Sequence, residues 1–208
     1  EMKPGQLTLP DGTLISYWLG GDGKPLLVLH DGPDLAHDYL RPGVDVLADD
    51  RLLFYVDLPG RGASGRPTQD GSTLGLEHDV QSIATLLVRI NLRDLEVYGH
   101  GWGAMVAVRL AEKYPQLVSR LVLDNSPLPT LEGWSRQVEA SARRVPEPWR
   151  TDLMRLDEDS DQYRPVVRDE FLTRALMAGS VKVPSVLLDL APKLRRDPAL
   201  RGAIVGPM

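Results

Sequence analysis

Residues 95–104 read LEVYGHGWGA, an apolar run that passes through Gly99-His100-Gly101-Trp102-Gly103 into a segment of helical spacing. A tight strand-to-helix turn of this kind presents the side chain of its middle residue as a nucleophile, beside the first free N–H groups of the helix. The residues flanking such a turn must be small, because the central backbone is strained and neighbouring segments approach closely. Gly99, Gly103 and Ala104 meet that need. The middle residue is Gly101, which has no side chain to present. The layout suits attack on an acyl carbon, with the oxyanion held by the Trp102 N–H, but the attacking atom is missing. Glycines ahead of a helix also serve packing or phosphate binding; the strand before and the helix after favour the nucleophile turn.

Two further loops belong with it. His30-Asp31-Gly32-Pro33 ends an earlier apolar run, and a sharp loop there aims the Gly32 N–H at the space faced by the Trp102 N–H. His30 and Asp31 are candidate substrate contacts on this loop, although a His before an Asp-Gly-Pro turn is also an ordinary strand terminator. Residues 57–67, DLPGRGASGRP, follow the next apolar run. Their glycines permit a compact path, an Asp57–Arg61 ion pair is expected to hold it, and no catalytic role falls to it.

The elements that must position these loops alternate. Residues 6–10 and 13–19 flank Asp11-Gly12, a hairpin signal. Residues 25–30 and 52–57 are continuous apolar runs suited to strands covered on both faces. Residues 38–48 are helix-like but interrupted by Pro42 and Gly43. Residues 77–90 carry Val80, Ile83, Leu86, Leu87 and Ile90 at helical spacing. A strand at 95–98, a helix at 104–114 and a strand at 118–123 follow. Buried strands alternating with helices call for a mostly parallel twisted sheet with helices on both faces, and sites at the C-terminal ends of its strands. After residue 127 the pattern turns helical, at 131–145, 149–156, 168–178 and 186–196. The expected organisation is an α/β core at 1–128, a helical cap at 129–198 with Trp134 and Trp149 as candidate pocket residues, and the start of another core strand at 199–208.

Composition bounds the function. The 208 residues carry a net charge of −5, with the acidity concentrated before residue 129, so no basic footprint for nucleic acid is present. There is no cysteine, which excludes disulfides, thiolate nucleophiles and Cys-based zinc sites. The four histidines, His30, His37, His78 and His100, show no metal-ligand spacing, and the glycines at 99, 101 and 103 fall short of a dinucleotide fingerprint. No cofactor, metal or membrane span is expected, and the expected location is cytoplasmic.

HDGP, DLPGRGASGRP and YGHGWGA, in that order and spacing, resemble the HGxP loop, the D-x-x-G-x-G-x-S loop and the nucleophile elbow of the α/β-hydrolase superfamily. Proline iminopeptidases, with HGGPG and GxSWGG in these places, resemble it most; the epoxide hydrolase and haloalkane dehalogenase branch, with an elbow of the type GHDWG, comes next. The resemblance covers residues 5–129. It implies the α/β-hydrolase fold, a Ser or Asp at position 101, an oxyanion hole from the Trp102 and Gly32 N–H groups, a cap over an apolar pocket, and an acid and a histidine from segments after the cap. His100, one residue before the nucleophile position, would point into the fold. His30 would brace its loop, with His37 and His78 as helix-start or surface residues.

Position 101 is glycine, and no histidine follows residue 100. The expectation is therefore a catalytically impaired member of a lineage that cleaves small peptide or ester bonds, a pseudoenzyme. Alternatives are a non-enzymatic protein that holds a small peptide, ester or acyl ligand under the cap, and one fragment of a split or processed hydrolase. A last parallel strand without a neighbour would need cover, from a second fragment or by self-association.

Overall fold

The computed structural model describes residues 1–32, 35–66 and 74–126, together with Glu132 and Arg136. Strands β1 (Lys3–Thr8) and β2 (Leu14–Gly20) form the expected hairpin, Lys3 lying opposite Leu19 and Thr8 opposite Leu14. Asp11 sets the turn by accepting the Thr13 N–H at 3.0 Å, an Asx contact that makes Asp-Gly a turn former. Strands β3 (Lys24–Leu29), β4 (Arg51–Val56), β5 (Leu95–His100) and β6 (Val118–Asp124) are parallel to one another. The sheet order is β1-β2-β4-β3-β5-β6, with β2 antiparallel to β4.

The apolar runs are buried for the reason their composition suggests. Leu27 and Leu29 of β3 pack, with Phe54, Val56 and Val97, beneath helices α2 (Leu76–Arg89) and α3 (Trp102–Lys113). Leu26 and Val28 face the other way, against Leu40, Val44, Leu53 and Tyr55. The interrupted segment at 38–48 forms this second cover as three short pieces: a 3-10 turn at His37–Tyr39, helix α1 (Arg41–Val44) and a 3-10 turn at Asp45–Asp49. Pro42 stands in the first turn of α1, where its missing N–H costs nothing. Strand β6 is different: Val122 and Leu123 are 46% and 44% exposed.

This winding creates the site. The connection after β3 covers one face, whereas α2 and α3 cover the other, and β4 and β5 lie on opposite sides of β3. Where adjacent parallel strands send their connections to opposite faces, a crevice opens beyond their C-terminal ends. The loops after β3 and β5, His30 to Gly32 and the turn at Gly101, meet there. The expected helices at 131–145, 149–156, 168–178 and 186–196, and the segment 199–208, lie outside the described residues apart from Glu132 and Arg136.

Candidate active site at the switch point

Strand β5 turns into α3 in a single residue. Gly101 has φ +53° and ψ −112°, a backbone that a residue with a Cβ adopts only under strain. Its N–H donates to the Asp124 carbonyl at 2.9 Å, tying the turn to the end of β6. Gly99 is required by close approach, since a Cβ there would lie 2.5 Å from the Gly103 carbonyl oxygen and 2.6 Å from the Ala104 Cα. The first amide of α3, that of Trp102, points out of the turn.

What it points at is the side chain of Asp31. Oδ1 of Asp31 accepts the Trp102 N–H at 2.6 Å and the Gly32 N–H at 2.7 Å. These are the two amides expected to form an oxyanion hole, and one carboxylate oxygen occupies both. A Cβ placed on Gly101 would lie 2.0 Å from Oδ1, 2.2 Å from Cγ and 2.6 Å from Oδ2 of Asp31. The carboxylate therefore fills the volume that an elbow side chain would need. A helix N-terminus and two convergent N–H donors stabilise a negative charge at that point, and here the charge is supplied from within the chain.

The surroundings hold both loops in place. The Asp31 backbone N–H donates to Tyr39 Oη at 2.9 Å, and that hydroxyl lies 2.7 Å from His100 Nδ1. Burial, its largest cause, pushes the Tyr39 pKa far above the ordinary phenol value. Tyr39 is thus a neutral phenol whose oxygen accepts the Asp31 N–H and which shares a hydrogen bond with His100 Nδ1. On the other side of the turn, Asp79 of α2 is fully buried; its Oδ1 accepts from Arg61 Nη1 at 2.6 Å and its Oδ2 from Trp102 Nε1 at 2.8 Å. The Arg61 guanidinium also lies 5.9 Å from the Trp102 ring centre, within cation–π range.

The expected Asp57–Arg61 ion pair is not formed, because both partners have better-placed ones. Arg61 pairs with Asp79, while Asp57 Oδ1 faces His37 Nδ1 at 2.8 Å and accepts the His37 N–H at 3.0 Å. Asp57 Oδ2 accepts the Ala63 N–H at 2.8 Å, so Asp57 organises its loop through amides. Burial raises the Asp57 pKa, but the hydrogen bonds from His37 and Ala63 outweigh it and leave the carboxyl below its ordinary value. His37 begins a 3-10 turn but is buried, stacked on Trp18 at 3.8 Å. His78 stands in the first turn of α2 and pairs with Asp11 at 2.9 Å.

His30 is completely buried: Nδ1 lies 2.8 Å from the Asp31 carbonyl and Nε2 accepts the Leu58 N–H at 3.0 Å. The ring braces the loop after β3 against the loop after β4 and offers no atom to a substrate in this arrangement. Burial pushes its pKa below the ordinary imidazole value, so the unfolded chain takes up a proton that the folded chain refuses. That contribution to stability is complete above the unfolded value of about 6.5 and is lost as pH falls from there towards the folded value. The urea midpoint should accordingly drop between pH 7 and pH 5. His30→Asn should flatten this limb, and at pH 7 should cost about 1–3 kcal/mol through the orphaned Leu58 N–H. An unchanged limb would contradict the neutral, buried imidazole.

Of the sequence-derived site residues, the structure brings together Gly101, Trp102, Gly32, Asp31 and, behind them, His30. Trp134 and Trp149, like Pro33, lie outside the described residues. Asp124, at the end of β6, accepts from Tyr98 Oη at 2.6 Å. Sequence reasoning missed Asp79 and Tyr39, and it gave Asp31 a contact with substrate rather than with the two amides. Among the described residues no group of three or more His, Asp or Glu is placed to hold a metal ion. No helix among them is long and apolar enough to cross a membrane.

A family model described as alpha/beta hydrolase fold matches residues 24–166. A proline iminopeptidase from Heyndrickxia coagulans is 27% identical over 151 residues, which are 71% of this chain and 51% of that protein. A haloalkane dehalogenase from Mycobacterium marinum is 28% identical over 112 residues, 54% of this chain and 37% of that protein. The chain spans about half the length, or less, of these relatives. The crystal structure of a protein from Nostoc sp. PCC 7120 superposes with a TM-score of 0.73 at 22% identity, covering 99% of this chain and 70% of that one.

Proposed function

The chain belongs to the alpha/beta hydrolase fold family, and on that premise we propose a relative of proline iminopeptidase-like, peptide- and ester-cleaving hydrolases whose elbow does not perform acyl transfer. One observation carries this reading: the Asp31 carboxylate takes both backbone donors and the volume of the elbow side chain. An acyl substrate needs its carbonyl oxygen between those donors and a nucleophile within reach of its carbon. Asp31 stands in the first place, and Gly101 supplies nothing in the second. Loss of the nucleophile alone costs on the order of a millionfold in turnover, and loss of one oxyanion donor about 10²–10³ more. The ligands that fit this lineage are small peptides, esters and acyl groups. A cytoplasmic setting is part of the same reading, and the absence of cysteine is compatible with it.

The test is hydrolysis of a prolyl anilide and of p-nitrophenyl acetate. The expected result is no rate above that of the denatured chain. A rate above it in the folded chain would contradict the reading.

A second reading concerns the far edge of the sheet. The exposure of Val122 and Leu123 on β6 supports pairing of that strand with further polypeptide, either another segment of a hydrolase fold or a second copy.

A further inference from the structure

We propose that β6 is the contact surface of a homodimer, in which the strand pairs antiparallel with β6 of a second copy of this chain about a two-fold axis at Val122. This rests on the reading above that β6 pairs with further polypeptide, and it names the partner and the register.

Among the described residues β6 is an edge of the sheet, with β5 on its one paired side. Its regular part is bounded at both ends. Pairing with β5 skips a residue between Val118 and Arg120, opposite Leu95 and Glu96, and then runs unbroken from Arg120 to Asp124. Asn125 follows at φ +50°, which ends the extended run. Within that run the Asp124 carbonyl accepts the Gly101 N–H at the end of β5. Backbone groups alternate sides along a strand. Residues 120, 122 and 124 therefore turn theirs towards β5, and Leu121 and Leu123 turn theirs to the open edge.

Two such edges fit each other in one register. An antiparallel pair matches outward-turned residues with one another, so the two-fold axis must fall on a residue rather than between two. An axis at Val122 overlaps the whole regular run. Val122 then faces its own copy, Leu121 faces Leu123 of the second copy, and Arg120 faces its Asp124. Symmetry makes the leucine and charge pairs occur twice. An axis at Leu121 would set Arg120 against Val122, one at Leu123 would set Asp124 against Val122, and one at Arg120 would set like charges against each other, which is unfavourable.

The side chains are in place for that register. Val122 and Leu123 are half-exposed large apolar residues on opposite faces of the strand, and pairing covers both. Arg120 and Asp124 are exposed. Arg120 is held over the same face by Glu96, with Nη1 3.2 Å from Oε1, and Asp124 by the Tyr98 hydroxyl, which donates to it at 2.6 Å. Both charges thus stand on the face that carries Val122.

The chain has no cysteine, so a single introduced thiol reports the register. At Val122 the two strands form a non-hydrogen-bonded pair with Cα atoms about 4.5 Å apart, within disulfide range. The experiment follows the mass of the whole folded chain through a concentration series by sedimentation equilibrium, and the rate of disulfide dimer formation in Val122→Cys and in Leu123→Cys. The expected result is a reversible dimer, with Val122→Cys crosslinking about tenfold or more faster than Leu123→Cys, whose thiol would face Leu121. Arg120→Asp should weaken the dimer about tenfold, and adding Asp124→Arg should restore it. Should Asp124→Arg fail to fold, the cysteine pair decides the matter. A monomer at every concentration, or a dimer in which Val122→Cys crosslinks no faster than Leu123→Cys, would overturn the proposal. Hydrogen exchange of the Leu121 and Leu123 amides then separates it from the broader reading. Amides protected in a monomer mean that β6 pairs with another segment and only the second copy is wrong; unprotected amides overturn both.

Discussion

Serine at position 101 should destabilise this protein, and removing the Asp31 carboxylate should relieve most of the crowding. A Cβ at 101 meets three atoms within 2.6 Å, and all three belong to that carboxylate. Either the new side chain is crowded, or Asp31 swings out and forfeits two charge-assisted hydrogen bonds. The positive φ of Gly101 adds strain that does not depend on Asp31. Crowding of about 1–3 kcal/mol and backbone strain of about 1–3 kcal/mol put Gly101→Ser at about 2–6 kcal/mol. In an Asp31→Ala background the same substitution should cost about 1–3 kcal/mol less, an interaction that a double-mutant cycle in urea reads directly. Strict additivity of the two substitutions would mean that the carboxylate is elsewhere.

The second large effect belongs to Asp79. Its two oxygens neutralise Arg61, which is 1% exposed, and accept the indole N–H of Trp102. Among the described residues Arg61 Nε and Nη2 have no hydrogen-bond partner, and Asp79 is the carboxylate that pairs with Arg61. Asp79→Ala leaves a guanidinium buried without a counter-charge and should cost about 3–5 kcal/mol. Asp79→Asn keeps the shape and an acceptor and should cost less. The loss should also reach the elbow, because Trp102 is the residue whose amide meets Asp31. A cost below about 1 kcal/mol for Asp79→Ala, measured by urea unfolding, would show that this network does not hold the turn.

How much of this was legible in the sequence depended on the range of the interaction. The hairpin at Asp11-Gly12, the buried strands and the helix from Leu76 to Arg89 rest on contacts between neighbours in sequence or on periodicity. They stand within one to three residues of the expected bounds. The segment at 38–48 was legible as a broken helix but not where it breaks: Pro42 and Gly43, read as the interruption, lie inside α1, and the 3-10 turns stand on either side of it. The loop after β4 was assigned the wrong ion pair because Asp57 and Arg61 are close in sequence. The true partner, Asp79, sits on a helix whose charged residues read as its solvated face. Nothing in a helical pattern marks one acid among several as fully buried.

Asp31 failed for the same reason at longer range. The Trp102 amide lies 71 positions away from it, and a parallel sheet that reverses its winding at β3 is needed to bring them together. A signal was present, however. An acid stands immediately before the glycine expected to donate to an oxyanion, and the elbow has no side chain. Two departures at positions expected to face one space are a reason to ask whether one fills the gap left by the other.

The central claim is that one carboxylate oxygen of Asp31 occupies both amides at the elbow, and backbone amide NMR tests it most directly. Strong hydrogen bonds to a charged acceptor move amide protons downfield. Asp31→Ala should therefore shift the Gly32 and Trp102 amide protons upfield together, with the Gly101 amide, which donates to the Asp124 carbonyl, moving far less. A response confined to Gly32, the immediate neighbour of the substituted residue, would contradict the account and leave the amide at the start of the elbow helix free for another ligand.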